Sequence, residues 1–193
     1  MKNTRNFIFL LLVFLSRDVS VKELAGHSQN QQTMNCQASI SAGLRHWIII
    51  REAGLVMAEH VRPWSLILRD TPLLTIAEDS SEMTRALTAP VSGILTPYSR
   101  EILPGTHLQQ GEHITDIIQL KDLLVRVVPQ AAKPGIKTGQ QLELLTPGLL
   151  WQAEVTHISG QGLWLTIKKV IGDLSKLKFN LALPCQLNIG QST

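Results

Sequence analysis

The stretch Ala89-Pro-Val-Ser-Gly-Ile-Leu95, followed by Pro104-Gly-Thr-His-Leu-Gln-Gln-Gly111, decides the fold of this chain. Gly105 and Gly111 flank a short strand-like run, and each can take the positive φ that a tight turn requires. Pro90 suits the edge of a strand, where no backbone N–H is needed for pairing. On both sides, short apolar runs are cut by turn residues about every 8 to 12 positions, which is typical of a β-sandwich or barrel. We therefore predict an all-β protein.

The candidate strands follow one another with turns between them, and no convincing amphipathic helix of about 12 residues interrupts them. They are Trp47–Arg51, Leu66–Leu68, Leu73–Ala77, Arg85–Thr88, Gly93–Thr96, Ile114–Ile118, Leu123–Val128, Gln141–Leu145, Trp151–Ile158, Leu163–Lys168 and Lys178–Leu183. The last five of these strands supply enough material for a small barrel.

One pattern occurs twice in the first half of the chain. Gly54 to Ile76 spans 22 positions and Gly93 to Ile117 spans 24, so the two copies align with a two-residue gap. An internal duplication of this length predicts two similar half-sheets packed face to face. Chance similarity between short β-like segments is the alternative.

The composition excludes several classes of protein. Hydrophobic residues make up 44% of the chain and charged residues 17%, which is incompatible with general disorder. The net charge of +3 is mild, and no stripe of Lys and Arg marks a nucleic-acid-binding face, so we expect no nucleic-acid partner. No apolar run approaches the ~20 residues that span a bilayer.

The N-terminus has the proportions of a secretory signal. Lys2 and Arg5 precede the apolar run Phe7–Leu15, and we interpret residues 1–25 as a signal peptide that is either cleaved or retained as an anchor. Residues 26–44 are polar and aperiodic, and we interpret them as a flexible leader.

The two cysteines, Cys36 and Cys185, allow at most one internal disulfide in an oxidising compartment. They lie near opposite ends of the chain, and the sequence does not show whether they meet. Two unpaired buried thiols are the slightly favoured alternative.

The residues that carry most enzyme chemistry are not arranged in any known pattern. There is no phosphate-binding glycine loop, no nucleophile elbow and no zinc-protease helix motif. The six histidines do not cluster with each other or with cysteines, as a structural metal site requires. They are His27, His46, His60, His107, His113 and His157. We expect no catalytic, metal or cofactor site, and we expect the four tryptophans to pack mainly in the core, with one or two exposed at an interface as a minority alternative.

The glycine pattern resembles a known module. Residues 89–95 and 104–114 resemble the second half of a biotinyl/lipoyl-type barrel-sandwich hybrid, and residues 47–76 resemble its first half more loosely. Residues 118–129, 136–144 and 151–158 are similar to the β-barrel that follows this module in the periplasmic adaptor, or membrane fusion protein, family. The resemblance implies a barrel-sandwich hybrid over 45–120 and a β-barrel over 121–190.

A cofactor-carrying role is excluded by the lysines. Carrier domains attach their prosthetic group to a lysine seven positions before the Ala-Pro pair, and this chain has Glu82 at that position. A carboxylate offers no amine for the amide bond, and no lysine lies anywhere between Lys22 and Lys121.

The chain also departs from the adaptor family. Adaptors usually carry a long α-helical hairpin between the two halves of the lipoyl-like domain, whereas here only residues 77–88 lie between the copies. Twelve residues are too few for a coiled-coil hairpin. The resemblance is thus to a hairpin-less variant, and contact with an outer-membrane channel is in doubt.

The resemblance implies a non-enzymatic subunit of an efflux or secretion complex that resides in the periplasm, binds an inner-membrane transporter and assembles with itself in rings. Residues of structural or interface importance would be Gly54, Ala89, Pro90, Gly93, Pro104, Gly105 and Gly111 in the ring-lining module, and Gly139, Gln140 and Trp151 in the barrel facing the transporter. One alternative is a stand-alone envelope β protein with a regulatory or scaffold role. Another is a degenerate adaptor without function.

Overall fold

The computed structural model describes residues 32–81, 83–130 and 135–190, all within one compact unit. The predicted signal peptide, the first residues of the predicted leader and Glu82 lie outside the described residues. The described chain is all-β, as predicted. Its strands are β1 (Gln32–Ala42), β2 (His46–Ile49), β3 (Gly54–Glu59), β4 (Leu66–Ile67), β5 (Pro72–Glu78), β6 (Thr84–Thr88), β7 (Gly93–Leu95), β8 (His107–Leu108), β9 (His113–Ile118), β10 (Leu123–Pro129), β11 (Gln141–Thr146), β12 (Leu149–Ser159), β13 (Gly162–Gly172) and β14 (Ala182–Ile189).

Six strands close into an antiparallel barrel in the order β1-β10-β13-β12-β11-β14. Apolar side chains that alternate along each strand fill its interior, among them the fully buried Trp151 and Leu144. The indole N–H of Trp151 donates to the Thr146 hydroxyl at 2.9 Å, so the polar edge of the ring is satisfied inside the core.

The first barrel strand overturns part of the predicted leader. Residues 26–44 were expected to be flexible, but Gln32–Ala42 forms β1 and pairs with both β10 and β14. Met34, Cys36, Ala38 and Ile40 point into the barrel, and the polar residues between them face outward. This period of two is the signal of a half-buried strand. The barrel therefore begins before the sandwich rather than after it.

The two cysteines are joined by a disulfide, and the interpretation as unpaired thiols was wrong. Cys36 on β1 lies directly opposite Cys185 on β14, and both are buried. Strands β1 and β14 come from the two ends of the described chain and are neighbours in the closed barrel. Residues far apart in sequence therefore lie opposite each other. The bond closes a loop across a sequence separation of 149.

The remaining eight strands form a sandwich of two four-stranded sheets. The barrel-side sheet has the order β2-β9-β7-β4, and the outer sheet has the order β6-β5-β3-β8. Each sheet contains one strand from the other copy of the repeat. Strand β4 of the first copy pairs with β7 of the second, and β8 of the second copy pairs with β3 of the first. The two similar half-sheets predicted to pack face to face are two four-stranded sheets that exchange strands about a pseudo-two-fold axis.

The strand register supports the alignment of the two copies. Leu55 pairs with Ala77 in one sheet, and Ile94 pairs with Ile118 in the other, each one residue after its glycine. A β-carbon on Gly93 would lie 2.5 Å from the Ile118 carbonyl oxygen, and one on Gly54 would collide in the same way with the Ala77 carbonyl. Glycine is needed at both positions because another backbone passes there.

The turns of the two copies are also equivalent, although their residues differ. The Gly105 amide donates to the Val56 carbonyl at 2.7 Å, and the Trp64 amide donates to the Leu95 carbonyl at the same distance. Gly105 has φ +87°, and Trp64 has φ +62°. The second copy therefore uses glycine where the first copy forces a tryptophan into the left-handed region.

The close approach at Gly93 yields a stability prediction. Gly93→Ala should lower the free energy of unfolding by about 1–3 kcal/mol, because the new methyl group meets backbone that cannot move without breaking the β7–β9 pairing. Gly160→Ala is the matched control, since a β-carbon there has nothing within 4 Å. Urea unfolding of both variants measures the difference. Equal stability of the two variants would contradict the strand geometry.

The disulfide yields a second prediction. Replacing both cysteines, Cys36→Ser with Cys185→Ser, should cost roughly 2–5 kcal/mol, because the unfolded chain loses a long-range constraint. Adding a reductant should lower the urea midpoint of the unchanged protein and leave that of the double variant where it was. A midpoint that does not respond to reductant in either protein would show that the bond contributes nothing.

Candidate interaction site

The barrel covers one outer face of the sandwich. Ile94 and Ile118, on the outer face of the barrel-side sheet, are fully buried and belong to the same apolar cluster as the barrel core. They close one region of that core together with barrel residues such as Leu123 and Ile40. This face is therefore unavailable to other molecules.

The equivalent face of the outer sheet is exposed. Leu55 corresponds to Ile94 in the repeat and is 43% exposed, and Ala77, which corresponds to Ile118, is half-buried. Met57 adds a second large apolar side chain with 53% exposure. We call this surface, formed by Leu55, Met57, Ala77 and Ala86, the uncovered face. A contiguous exposed apolar surface of this kind is typical of a protein-binding site.

Polar side chains lie beside the apolar residues of the uncovered face, and the four residues that define this face carry no charge. His107 on β8, directly opposite Leu55, contacts the Asp79 carboxylate through Nε2 at 2.7 Å. His60 contacts the Thr75 hydroxyl at 2.7 Å. Thr75 lies on the central strand β5 opposite Ala86, so a hydrogen-bonded polar group also lies within the uncovered face.

A groove of about 270 Å³ lies between the edge strands β2 and β6. Trp47 stands at this edge groove with 68% of its side chain exposed, and its ring meets the His113 ring edge-on at 5.9 Å. Arg85 and Glu78 line the groove as an ion pair at 3.9 Å. In the described part of the chain, each of these strands has only one hydrogen-bonded neighbour, which leaves its other edge able to pair with an extended segment.

Three of the predicted sandwich residues are buried in the framework rather than placed for contact. Gly54 and Gly93 lie at the close strand approaches, and Ala89 is fully buried with its amide donating to the Thr71 carbonyl. Pro90 is exposed and lines the edge groove. Only Pro90 of these four could touch a partner directly.

The turn residues Pro104, Gly105 and Gly111 are exposed. Arg100 braces this region by donating to Glu112 from Nε at 2.8 Å and from a terminal nitrogen at 3.2 Å. Hydrogen bonding by Arg100 holds the pKa of Glu112 below its ordinary value. The region can present a fixed surface, but no reactive group stands out in it.

The predicted barrel residues are divided between surface and core. Gly139 and Gln140 form an exposed or half-exposed turn, where the Gln140 side chain accepts from the Lys137 amide at 3.1 Å and donates to the Gly190 carbonyl at 3.3 Å. Trp151 is fully buried and cannot contact a partner. The burial of Trp151 agrees with the expectation that the tryptophans pack mainly in the core, and its role is structural.

Sequence reasoning missed Leu55, Met57 and the exposure of Trp47 as a specific site. The sequence of a strand does not show whether another module covers its apolar residues, so it did not indicate the uncovered face.

The connection between the two copies, residues 77–88, is mostly paired. The strands predicted at Leu73–Ala77 and Arg85–Thr88 lie within β5 and β6, which form a hairpin. Residues 79–81 and 83 lie between the two strands, and Glu82 lies outside the described residues. The long helical hairpin of the adaptor family has no counterpart between β5 and β6.

The described residues contain neither a metal-binding cluster nor a membrane-spanning helix. In the ranges 32–81, 83–130 and 135–190, no three His, Cys, Asp or Glu side chains lie together in a way that could hold a metal ion. Over the same ranges, no helix has the length and hydrophobicity needed to cross a membrane.

Comparisons with known proteins support the fold. No family model matches the sequence, and no curated protein matches it significantly. Among solved structures, the periplasmic adaptor protein EmrA matches 86% of this chain over 100% of its own, with 11% identity and a TM-score of 0.52. ZneB from Cupriavidus metallidurans matches 84% of this chain over 100% of its own, with 11% identity and a TM-score of 0.45.

A MacA–MexA chimera that contains the Pseudomonas aeruginosa MexA α-hairpin domain matches 85% of this chain over 83% of its own, with 9% identity and a TM-score of 0.37. At these identities the likeness concerns the fold alone, and only the EmrA match carries weight. The resemblance to adaptors is therefore confirmed at the level of the fold: the chain has the barrel-sandwich and β-barrel architecture of the periplasmic adaptor, or membrane fusion, proteins.

Proposed function

We propose that this protein is a non-enzymatic adaptor subunit of an efflux or secretion complex in the cell envelope, where it binds an inner-membrane transporter and copies of itself. The observation that carries the proposal is the combination of a strand-exchanged sandwich and a closed six-stranded barrel in one compact unit, a fold similar to that of the periplasmic adaptor EmrA. Fold-level likeness is an argument by analogy, so the surfaces must supply the rest.

The disulfide supports a location outside the cytoplasm. Disulfides persist in oxidising compartments such as the periplasm and are rare where thiols are kept reduced. The Cys36–Cys185 bond is buried between two barrel strands, where it serves structure rather than redox chemistry. A signal peptide over residues 1–25 would deliver the chain to that compartment.

The exposed surfaces support action by binding. The uncovered face offers two large apolar side chains, Leu55 and Met57, that nothing in the described chain covers. Ring assembly would bring sandwiches of neighbouring copies side by side, and the uncovered face is one apolar surface that could make that contact. The exposed turn at Gly139 and Gln140 would lie in the module that faces the transporter.

A second candidate is a stand-alone, hairpin-less envelope protein that regulates or scaffolds another complex. The observation that favours it is the short turn over residues 79–83, because a helical hairpin that could reach an outer-membrane channel is replaced there by a direct β5–β6 connection. The two candidates differ in whether the protein associates with itself and with a transporter.

Self-association can be tested at the uncovered face. Leu55→Asp should weaken self-association by about tenfold, because a carboxylate would be buried without a partner at the interface. Leu124→Asp is the matched control, since Leu124 is also an exposed apolar residue (51%) but lies on the barrel. Sedimentation velocity over a concentration series measures both variants. A strictly monomeric unchanged protein at all concentrations would contradict the assembly part of the proposal.

Transporter binding can be tested in intact cells that produce the full-length tagged chain. A photo-crosslinking residue at Gln140 should capture an inner-membrane transporter, whereas the same residue at Thr156, on the outside of β12, should not. Mass spectrometry of the captured bands identifies the partner. Recovery of no membrane protein from either position, with the chain present in the envelope, would favour the scaffold role over the adaptor role.

A further inference from the structure

We infer that Trp64 acts as a latch between the two modules. Contact with Phe179 of the barrel holds the strained turn at Trp64, and this turn keeps strand β4 of the sandwich paired. The inference concerns how the two modules are coupled, and it does not depend on what the protein binds. It follows from three features of the structure: the backbone of Trp64, the contacts of its ring, and the small size of β4.

The backbone at Trp64 is strained. Its φ of +62° lies in the left-handed region, which bulky side chains rarely enter. Gly105, the equivalent residue of the other copy, reaches the same conformation without a β-carbon. The turn itself therefore does not require tryptophan, and glycine would serve it better.

The ring of Trp64 explains why the strain persists. It packs against the barrel's apolar core, with its centroid 6.2 Å from that of Phe179. The Arg45 guanidinium lies over the Phe179 ring at 6.0 Å, and one of its terminal nitrogens donates to the Asp116 carboxylate at 3.2 Å. Trp64 thus makes a contact with the barrel that has no equivalent at Gly105, because nothing lies within 4 Å of a β-carbon at Gly105.

Phe179 is itself fixed to the barrel. The next residue, Asn180, has φ +60°, and its amide donates to the Ile40 carbonyl on β1 at 2.8 Å. The position of Phe179 therefore follows the position of the loop that leads into β14. A change in that loop would move the surface on which Trp64 rests.

Strand β4 is anchored in the sandwich core by the buried Ile67, and its backbone pairing depends on this turn. It contains only Leu66 and Ile67 and pairs with β7 alone. Two flanking bonds lock it in place: the Trp64 amide donates to the Leu95 carbonyl at 2.7 Å, and the Leu95 amide donates to the Ser65 carbonyl at 2.9 Å. If Trp64 returned to negative φ, both bonds would break and β4 would be released.

The latch gives the junction two states. In the latched state, contact with Phe179 offsets the strain, and the barrel-side sheet keeps all four strands. In the released state, the turn relaxes and one edge of that sheet opens. Anything that displaces the barrel loop at Phe179 would favour the second state, so the barrel is coupled to a sheet edge in the other module.

Hydrogen exchange at two amides tests the latch. Phe179→Ala should speed exchange of the Leu95 amide by about five- to thirtyfold, because a strain of about 1–2 kcal/mol per residue is no longer offset. The Val56 amide is the internal control, since it donates to the Thr106 carbonyl at 2.9 Å in the equivalent turn beside Gly105. Its exchange rate should not change.

A second background separates the latch from a general loss of packing. Trp64→Gly removes both the strain and the ring, so the Leu95 amide should stay protected in this variant and should not respond when Phe179→Ala is added. An unchanged Leu95 rate in Phe179→Ala would overturn the proposal. So would an equal acceleration at Val56, or the same response to Phe179→Ala in the Trp64→Gly background.

Discussion

Each half of the sandwich needs a strand that the other half supplies. Strand β4 of the first copy completes the sheet of β7 and β9, and β8 of the second copy completes the sheet of β3 and β5. The exchange brings backbones so close at Gly54 and Gly93 that a β-carbon would collide with a carbonyl oxygen. Neither copy can form its sheet alone, so the two must fold together, and the glycines at these positions are a condition of the whole module.

The two sheets of the sandwich are related by pseudo-symmetry, but the barrel covers only one of them. The candidate interaction surfaces follow from that difference. The barrel buries Ile94 and Ile118 on one sheet, while their counterparts Leu55 and Ala77 remain accessible on the other. The same asymmetry separates Trp64, which rests on the barrel, from Gly105, which faces open space. Comparing equivalent positions of an internal repeat thus distinguishes the residues that serve the fold from those that serve contacts.

Local patterns predicted the fold class, most strands and the alignment of the two copies, because turn chemistry and apolar periodicity act over a few residues. Strand β1 was missed because the segment was interpreted from its polar composition, although Met34, Cys36, Ala38 and Ile40 alternate with polar residues as in a half-buried strand. The Cys36–Cys185 pairing and the strand exchange depend on long-range register, which one sequence does not reveal. The candidate site was harder still, since an exposed Leu55 and a buried Ile94 are both apolar residues on short strands.

The repeat also explains which parts of the sandwich can extend and which cannot. In the second copy, the chain leaves β9 after Ile118 and enters the barrel, and β1 leads back through Gly43 into β2. The equivalent corner of the first copy joins β5 to β6 through residues 79–83. The two corners occupy equivalent positions about the pseudo-two-fold axis. One of them contains the whole barrel, and the other contains only a short turn. With so little chain at the second corner, the surfaces that the proposed binding could use are those of the sheets: the uncovered face and the edge groove between β2 and β6.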